Sequence, residues 1–568
     1  GGMSQERRRG TVLLVTLILC VLVIGLVIAT LFTARTTNQW FAYALDQAEV
    51  LALAESATEL RQKLLLDEIA DFAPDEVLLG ERTHTINRNG EDITVHSSVT
   101  RQSLAGGAEG ELRFTDDDGV TTFASYYRIT GRVTGGDGNA QIMRTIQIAK
   151  SPLFQYGVFY NDDLEVLPGP SMTLAGRIHA NGSIYLSCGG NTLTLDTPHV
   201  RCTGELFRGR KDSPDPPGGT VRFKRYESGG YADFTAAMAP GQRWSGNTCD
   251  PRYYAQYGGN ANNWVSYADA RWEGTVQTQA HGVKEVASPQ LETLEAGGHY
   301  HEQAGLIIRS TDSEITVLRR NGDTLTDVTA LLPDGTVAQS TMYDAREEKT
   351  LPVTNVDLAK IRAAGLMPAN GLVYAYRTDV SAENPTGIRF KNGKELSGPT
   401  FLASPNPVYI QGDFNAPAAG SGFTKQAAVV MCDALNLLSN SWNDTKKKGG
   451  AVPKASATTV NCAMISGIVR TSDTPNGTYS GGLENYPRFH EDWGGVTMTI
   501  RGAFICLFQS KYGTARWGKS GVYSAPTRNW GFDPDLLNSG TSFLEAIMPC
   551  AVSVRRLVWT DNCASRLD

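Results

Sequence analysis

The sequence predicts a mainly β chain led by one long N-terminal α-helix. Thr11 to Phe32 reads TVLLVTLILCVLVIGLVIATLF, an almost unbroken apolar run behind Arg7, Arg8 and Arg9, with no charge between Gly10 and Arg35. From Arg35 to Asp71 there is neither proline nor glycine, so nothing in the chain stops a helix before Pro74. Beyond it, short stretches of alternating polarity are punctuated by Gly, Asn, Asp and Pro. Charged residues make up only 20% of the 568 residues and glycines number 59. That balance favours strands and turns over further helices.

The apolar run fits a membrane. Val12, Val15, Leu19, Val23 and Phe32 belong to a segment that, at about 1.5 Å per residue, reaches across the roughly 30 Å hydrocarbon layer. The arginine flank keeps the N-terminal side cytoplasmic, which places the bulk of the chain outside the cytoplasm. In the continuation, Trp40, Ala44, Ala48, Leu51, Ala52, Leu60 and Leu64 recur at helical spacing and predict the face that packs on a soluble domain. A formal net charge of -7 and a pI near 5.7 supply no basic footprint, so nucleic acid is excluded as a partner class.

Residues 83–150 alternate as antiparallel strands separated by Asn89-Gly90, Gly106-Gly107, Asp118-Gly119 and Gly135 to Gly138. They predict a sheet of about four strands packed on the exposed half of the helix. The acidic run Asp116, Asp117, Asp118 lacks the spaced ligands of a calcium loop and reads as a solvated hairpin tip.

A short basic leader ending in Gly10, followed by a hydrophobic segment running into LDQAEVLALAESATELRQKL, resembles the N-terminus of type IV pilins, the PilX-type minor pilins in particular. The resemblance implies cleavage between Gly10 and Thr11 by a prepilin peptidase, and packing of the freed helix into a filament core with other pilin or pseudopilin subunits. Val15 stands where major pilins carry a glutamate, which argues against a major subunit. An uncleaved anchor is the alternative, and a cut near Ala29 or Ala34 would instead give a secreted β protein.

Past Ser151-Pro152 the strands shorten. Ile178 with Ala180 and Ile184 with Leu186 keep one parity, predicting a common interior with Arg177 and His179 facing out. The turn around Asn181 returns as Ile410, Gln411, Gly412, Asp413, Phe414, a loose repetition that predicts a β-solenoid or a stacked β-sandwich head. A stretch rich in Trp, Tyr, Gly and Asn, with Trp244, Trp264 and Trp272, reads as a loop-rich insertion. Its aromatics fill a satellite core or grip a sugar or protein surface. Val356 to Leu366 is a helix candidate stopped by Gly365 and Pro368, and Lys446, Lys447 and Lys448 lie in a mobile, solvated loop. The segments NPVYIQGDFN, DALNLLSNSW, YSGGLENYPRFHEDW, RGAFICLFQSKY and NWGFDP resemble a family of large bacterial envelope proteins with pilin-like N-termini and no known activity.

The domain plan is a leader at 1–10, the long helix at 11–72 and a pilin-like sheet at 73–150. A β-rich head follows at 151–206 and 299–568, with the insertion at 207–298.

Catalytic signatures are few. His299 and His301 with Glu302 could share a metal from one side of a strand, yet no third ligand can be named, and neither HExxH, GxSxG, a P-loop nor a Rossmann fingerprint occurs. Arg488, His490, Glu491, Asp492 and Trp493 gather acid, base and stacking groups in one segment, a possible surface ligand loop for glycans, although the motif more readily fixes a loop with Tyr486, Phe489 and Trp493 buried. A β-helix polysaccharide lyase or hydrolase is therefore the enzymatic alternative. Eight cysteines lie outside the apolar run; Cys188 with Cys202 and Cys550 with Cys563 are the nearest pairs, and buried free thiols are the alternative. Sequons that begin at Asn181, Asn443 and Asn476 fit exposed turns and say little in a bacterial chain, which the leader implies. The expectation is a non-enzymatic minor pilin or pseudopilin of the bacterial inner membrane, in contact with lipid and needing no cofactor or metal. Its bulk would lie in the periplasm or on a surface filament, acting in assembly or adhesion. A simple membrane-anchored adhesin is a second alternative.

Overall fold

The computed structural model describes residues 3–562 apart from 73–78, 89, 103–111, 116–119, 136–137, 213–217, 235–260, 473–477, 480, 516–520 and 538–546. The chain is 43% strand and 20% helix, with one long N-terminal helix and several sheets. Among the described residues none of these sheets closes into a barrel.

Helix α1 (Met3–Ala70) is continuous over 68 residues, about 100 Å of helix. It lies with its last third on a sheet of β1 (Gly80–Arg88), β2 (Glu91–Arg101), β3 (Leu112–Thr115), β4 (Thr121–Gly135) and β5 (Gly138–Pro152). The buried stripe of α1 is Val50, Ala54, Thr58, Arg61, Leu65 and Ala70. This is not the face the periodicity selects: Trp40, Ala44, Ala48, Ala52 and Leu60 are exposed, and Leu51 and Leu64 only flank the contact. Close approach decides the matter. A Cβ on Gly131 of β4 would stand 2.4 Å from the Ala54 carbonyl oxygen, so the helix backbone rests directly on a glycine. Ile93, Val95, Val133 and Ile142 close around that contact.

The sheet is completed from far along the chain. Strand β32 (Cys550–Asn562), which the sequence reading assigns to the head, pairs antiparallel with β5 from Cys550↔Pro152 to Asn562↔Gln141. The sheet order is thus β1-β2-β4-β5-β32, with β3 on β4. The acidic run Asp116 to Asp118 falls outside the described residues.

The head is built from parallel strands stacked turn upon turn. Its first turns are β6 (Tyr156–Tyr160), β7 (Leu164–Val166) and β8 (Met172–Ala175); β9 (Arg177–Ala180), β10 (Ile184–Leu186) and β11 (Thr192–Asp196); then β12 (Val200–Cys202), β13 (Leu206–Arg208) and β14 (Thr220–Lys224). Each strand pairs in parallel with its counterpart one turn on. Strand β15 (Tyr231–Asp233), helix α2 (Ala261–Trp272) and strand β16 (Val276–Gln277) finish this half. Trp264 and Trp272 are buried there with Phe223 and Phe234 and join the main core of the head rather than a satellite one; Trp244 lies outside the described residues.

The chain then crosses to the opposite end. After helix α3 (His299–Gln303), strand β17 (Leu306–Ser310) begins a second stack, edged by the antiparallel β18 (Ile315–Asn321) and β19 (Thr324–Asp327). Strands β20 (Val337–Asp344) and β21 (Lys349–Asp357) and helix α4 (Leu358–Ala363), capped by Asp357, come next. The turns β22 (Leu372–Arg377) with β23 (Gly387–Lys391), β24 (Thr400–Ser404) with β25 (Val408–Gln411), and β26 (Ala428–Cys432) with β27 (Leu435–Leu438) follow. Then come β28 (Thr458–Ile468) with β29 (Arg488–Phe489), and β30 (Thr497–Gln509) with β31 (Thr527–Phe532). The last turn meets the first: β30 pairs in parallel with β6, joining the two halves in one 13-stranded sheet.

The middle strands of that sheet are buried on both faces, which is why they read as continuous apolar runs. In β26, Ala428, Val430 and Cys432 face the interior of the head, while Val429 and Met431 join the core that holds Leu65, Ile146 and Ile148. The interior parity expected for Ile178, Ala180, Ile184 and Leu186 is observed. His179 does point to the other side, but it is buried, stacked on Phe159 at 5.5 Å and bonded to Asn181. The crossing segment seals the junction: Ala287 bridges Val552, Asp71 accepts the Gln290 N–H at 2.7 Å, and Phe72 stacks on His299 at 4.0 Å.

Candidate functional site

Two features stand out as candidate sites, and the first is α1. The large apolar side chains from Val12 to Phe32 are 49% to 74% exposed, and no part of the described fold covers them. This part of α1 is long and apolar enough to cross a membrane. The hydroxyls of Thr16, Thr30 and Thr33 donate to carbonyls one turn back, so the helix carries no stranded polar group there. Gly10 and Thr11 lie within the helix.

The sheet grips the lower end of α1 through charge as well as packing. Arg144 of β5, almost fully buried, reaches Glu55 at 3.2 Å and Glu59 at 2.8 Å, and Arg556 of β32 also binds Glu59. Arg61 donates to the Gly80 carbonyl at 3.0 Å. The latch thus ties helix, mid-sheet and returning strand together. No spacing rule in the sequence pairs residues so far apart.

The second feature is the segment Arg488 to Trp493, which the sequence offers either as a surface ligand loop or as a motif that fixes a loop with Trp493 buried. The structure places it inside the head: Arg488, His490, Glu491 and Trp493 are at most 1% exposed, and Asp492 alone reaches solvent. Each charge is met by a group from another turn of the head. Arg488 binds Glu347 at 2.6 Å, Arg346 donates to the Phe489 carbonyl, and Glu491 accepts the Ser439 N–H at 2.7 Å and hydroxyl at 2.6 Å. His490 Nε2 lies 2.9 Å from Asn436 Oδ1, and its Nδ1 faces Asp344 at 3.7 Å, while Tyr409 donates to Asp344 at 2.5 Å. Trp493 packs edge-on to Phe489.

Electrostatics follow from that burial. Desolvation pushes His490 down to about 3, against the pull of Asp344 and with the help of Arg346 and Arg488. Nearby Asp433 is pushed up to about 6 by burial, although it accepts backbone N–H groups from Lys511, Tyr512 and Gly513. A neutral imidazole enclosed in paired charges works as a clamp between turns of the head. Asp344, Arg346, Glu347 and Asp433 complete the clamp, and no motif in the sequence singles them out.

The histidine pair also differs. His299 and His301 sit on helix α3 rather than on a strand, His299 against Phe72 and His301 on Glu302, Tyr374 and Tyr376. Among the described residues, no three His, Cys, Asp or Glu side chains are grouped as metal ligands would be. Cys188 and Cys202 are separate buried thiols, Cys188 facing the Asn191 carbonyl at 2.9 Å; Cys563 lies outside the described residues. Asn181 is held inside a corner, whereas Asn443 is exposed and Asn476 is not described.

No protein-family model matches the chain, and no curated protein matches it. Among solved structures it is similar to the competence-associated pilin ComZ from Thermus thermophilus, at 10% identity over 92% of this chain and 98% of that one. The TM-score of 0.27 is too low for that likeness to bear on fold or role.

Proposed function

We propose that the chain is a membrane-anchored subunit of a pilus-type filament, a minor pilin or pseudopilin with a β-solenoid head outside the cytoplasm. The observation that carries the proposal is the division of α1. One unbroken helix is bare and apolar from Val12 to Phe32, yet packed on a sheet from Val50 to Ala70. A helix that only anchored the chain could end at the bilayer. A rigid continuation, latched by Arg144 and Arg556, lets the same bare segment leave lipid and pack against other subunits without unfolding the head.

In this reading a prepilin peptidase cuts between Gly10 and Thr11, and the helix moves from inner-membrane lipid into the filament. The bulk of the head favours a filament tip; finding the chain at regular intervals along a shaft would overturn that placement. The head acts in assembly or adhesion, surface glycans being one class of ligand, and needs no catalytic residue, metal or cofactor. Turnover of an acidic polysaccharide by the purified chain, lost on changing Arg488 or His490, would refute the non-enzymatic part.

Mass spectrometry of the mature N-terminus, with and without the peptidase, tests the whole. A start at Thr11 supports filament entry. An intact leader in cells that contain the peptidase leaves a permanent anchor and refutes it.

A further inference from the structure

The three sequons are equivalent as sequence, but the fold treats them differently. At Asn181 the carboxamide is fully used: Nδ2 donates to Asn161 Oδ1 at 2.8 Å and to the Val286 carbonyl at 2.7 Å, and Oδ1 accepts the Val286 N–H at 3.1 Å. Those bonds pin the crossing segment to the corner between β9 and β10. No enzyme can take Nδ2 without opening the head. Asn476 lies outside the described residues.

Asn443 is the opposite case. It stands exposed in the connection between β27 and β28, on a base made rigid at both neighbours. Trp442 is 5% exposed, and its Nε1 donates to Asp444, which is itself held by Arg389 at 2.7 and 2.9 Å. Asn443 Oδ1 accepts the Thr445 N–H at 3.1 Å and the Thr445 hydroxyl. Two donors on the carbonyl oxygen draw electron density from the amide and make its N–H more acidic. No hydrogen bond engages Nδ2 among the described residues.

From this geometry we infer that Asn443 is an N-glycosylation site of the exported head, taking an oligosaccharide from a lipid-diphosphate donor. In the transfer, Nδ2 gives up a proton and bonds the sugar C1 as the C1–O bond to the diphosphate breaks, and the lipid diphosphate leaves. The Thr445 hydroxyl positions the carboxamide. The site rests on the reading that the head lies outside the cytoplasm.

The test uses the full chain. Detergent-purified protein is incubated with a purified oligosaccharyltransferase and a lipid-diphosphate oligosaccharide, and its peptides are mapped by mass spectrometry beside a short control sequon peptide. The expected result is the saccharide mass on the Asn443 peptide, none on the Asn181 peptide, loss in Thr445→Ala and retention in Thr445→Ser, with unchanged circular dichroism. A bare Asn443 peptide when the control is consumed, or equal modification at Asn181, overturns the inference.

Chain recovered from the membranes of cells that make it is mapped in the same way, while an impermeant protease reports which side the head occupies. An accessible head carrying saccharide at Asn443 supports the site. An accessible head with Asn443 bare overturns this inference alone; a shielded head overturns the exported reading and the site with it.

Discussion

Gly131 is where the long helix and the sheet touch backbone to backbone, and one added methyl tests the arrangement. A Cβ there would lie 2.4 Å from the Ala54 carbonyl oxygen and 2.9 Å from Thr58 Cγ2. Ordinary contact starts near 3.4 Å, so α1 must lift by about 1 Å or the strand must bend. Overpacking of this kind costs about 1–3 kcal/mol. Gly131 does not adopt a left-handed backbone, so no conformational strain is added and the cost is steric. In Gly131→Ala, the amides from Val50 to Ala70 should exchange with deuterium about 5- to 150-fold faster, since about 1.4 kcal/mol is a factor of ten. Gly25→Ala is the control, because a Cβ at Gly25 meets nothing within 4 Å. Equal protection in the two variants would refute the close-packed helix seat.

The same exchange experiment separates the arginines of the latch: Arg144→Met, which takes a buried guanidinium from Glu55 and leaves Glu59 to Arg556, should loosen α1 by about 1–2 kcal/mol, whereas Arg556→Ala, at an exposed pair, should cost under about 0.5 kcal/mol. Glu484 is buried and pushed up to about 7 by desolvation. Its native form therefore holds a proton that the unfolded form releases above its ordinary value of 4.5, so stability falls as pH rises from about 4.5 to 7. Glu484→Gln should remove that slope and gain on the parent by on the order of 2 kcal/mol between pH 5 and pH 8, read by urea unfolding. Gly502→Ala would put a Cβ 1.8 Å from the Cys462 carbonyl oxygen, so it should break the β28–β30 ladder and yield a chain that is proteolysed between those two strands.

Much of the architecture is legible in the sequence, and the failures have physical causes. The helix is legible because no proline interrupts it from Met3 to Ala70. Its seat is not, because the contact is made by Ala54 and Gly131, residues too small to register in a hydrophobic pattern. The strands of the head are visible one by one. Their stacking is hidden because those of the second half begin at Leu372, Thr400, Ala428, Thr458 and Thr497, spacings that drift as the outer loops lengthen. The burial of Arg488 and His490 is hidden for another reason: burial of a charge depends on partners, and Glu347, Asp344 and Asn436 come from other turns.

The return of β32 to β5 also sets an order of events. The chain is made N-terminus first, so β5 must wait with an open, hydrogen-bond-hungry edge while the entire head is synthesised and stacked. Only when Cys550 to Asn562 arrive is that edge closed and Arg556 delivered to Glu59. A truncated product would carry its helix but keep a sticky sheet edge. Closure of that edge is then a built-in signal of completeness, available to any chaperone or protease that recognises unpaired strands.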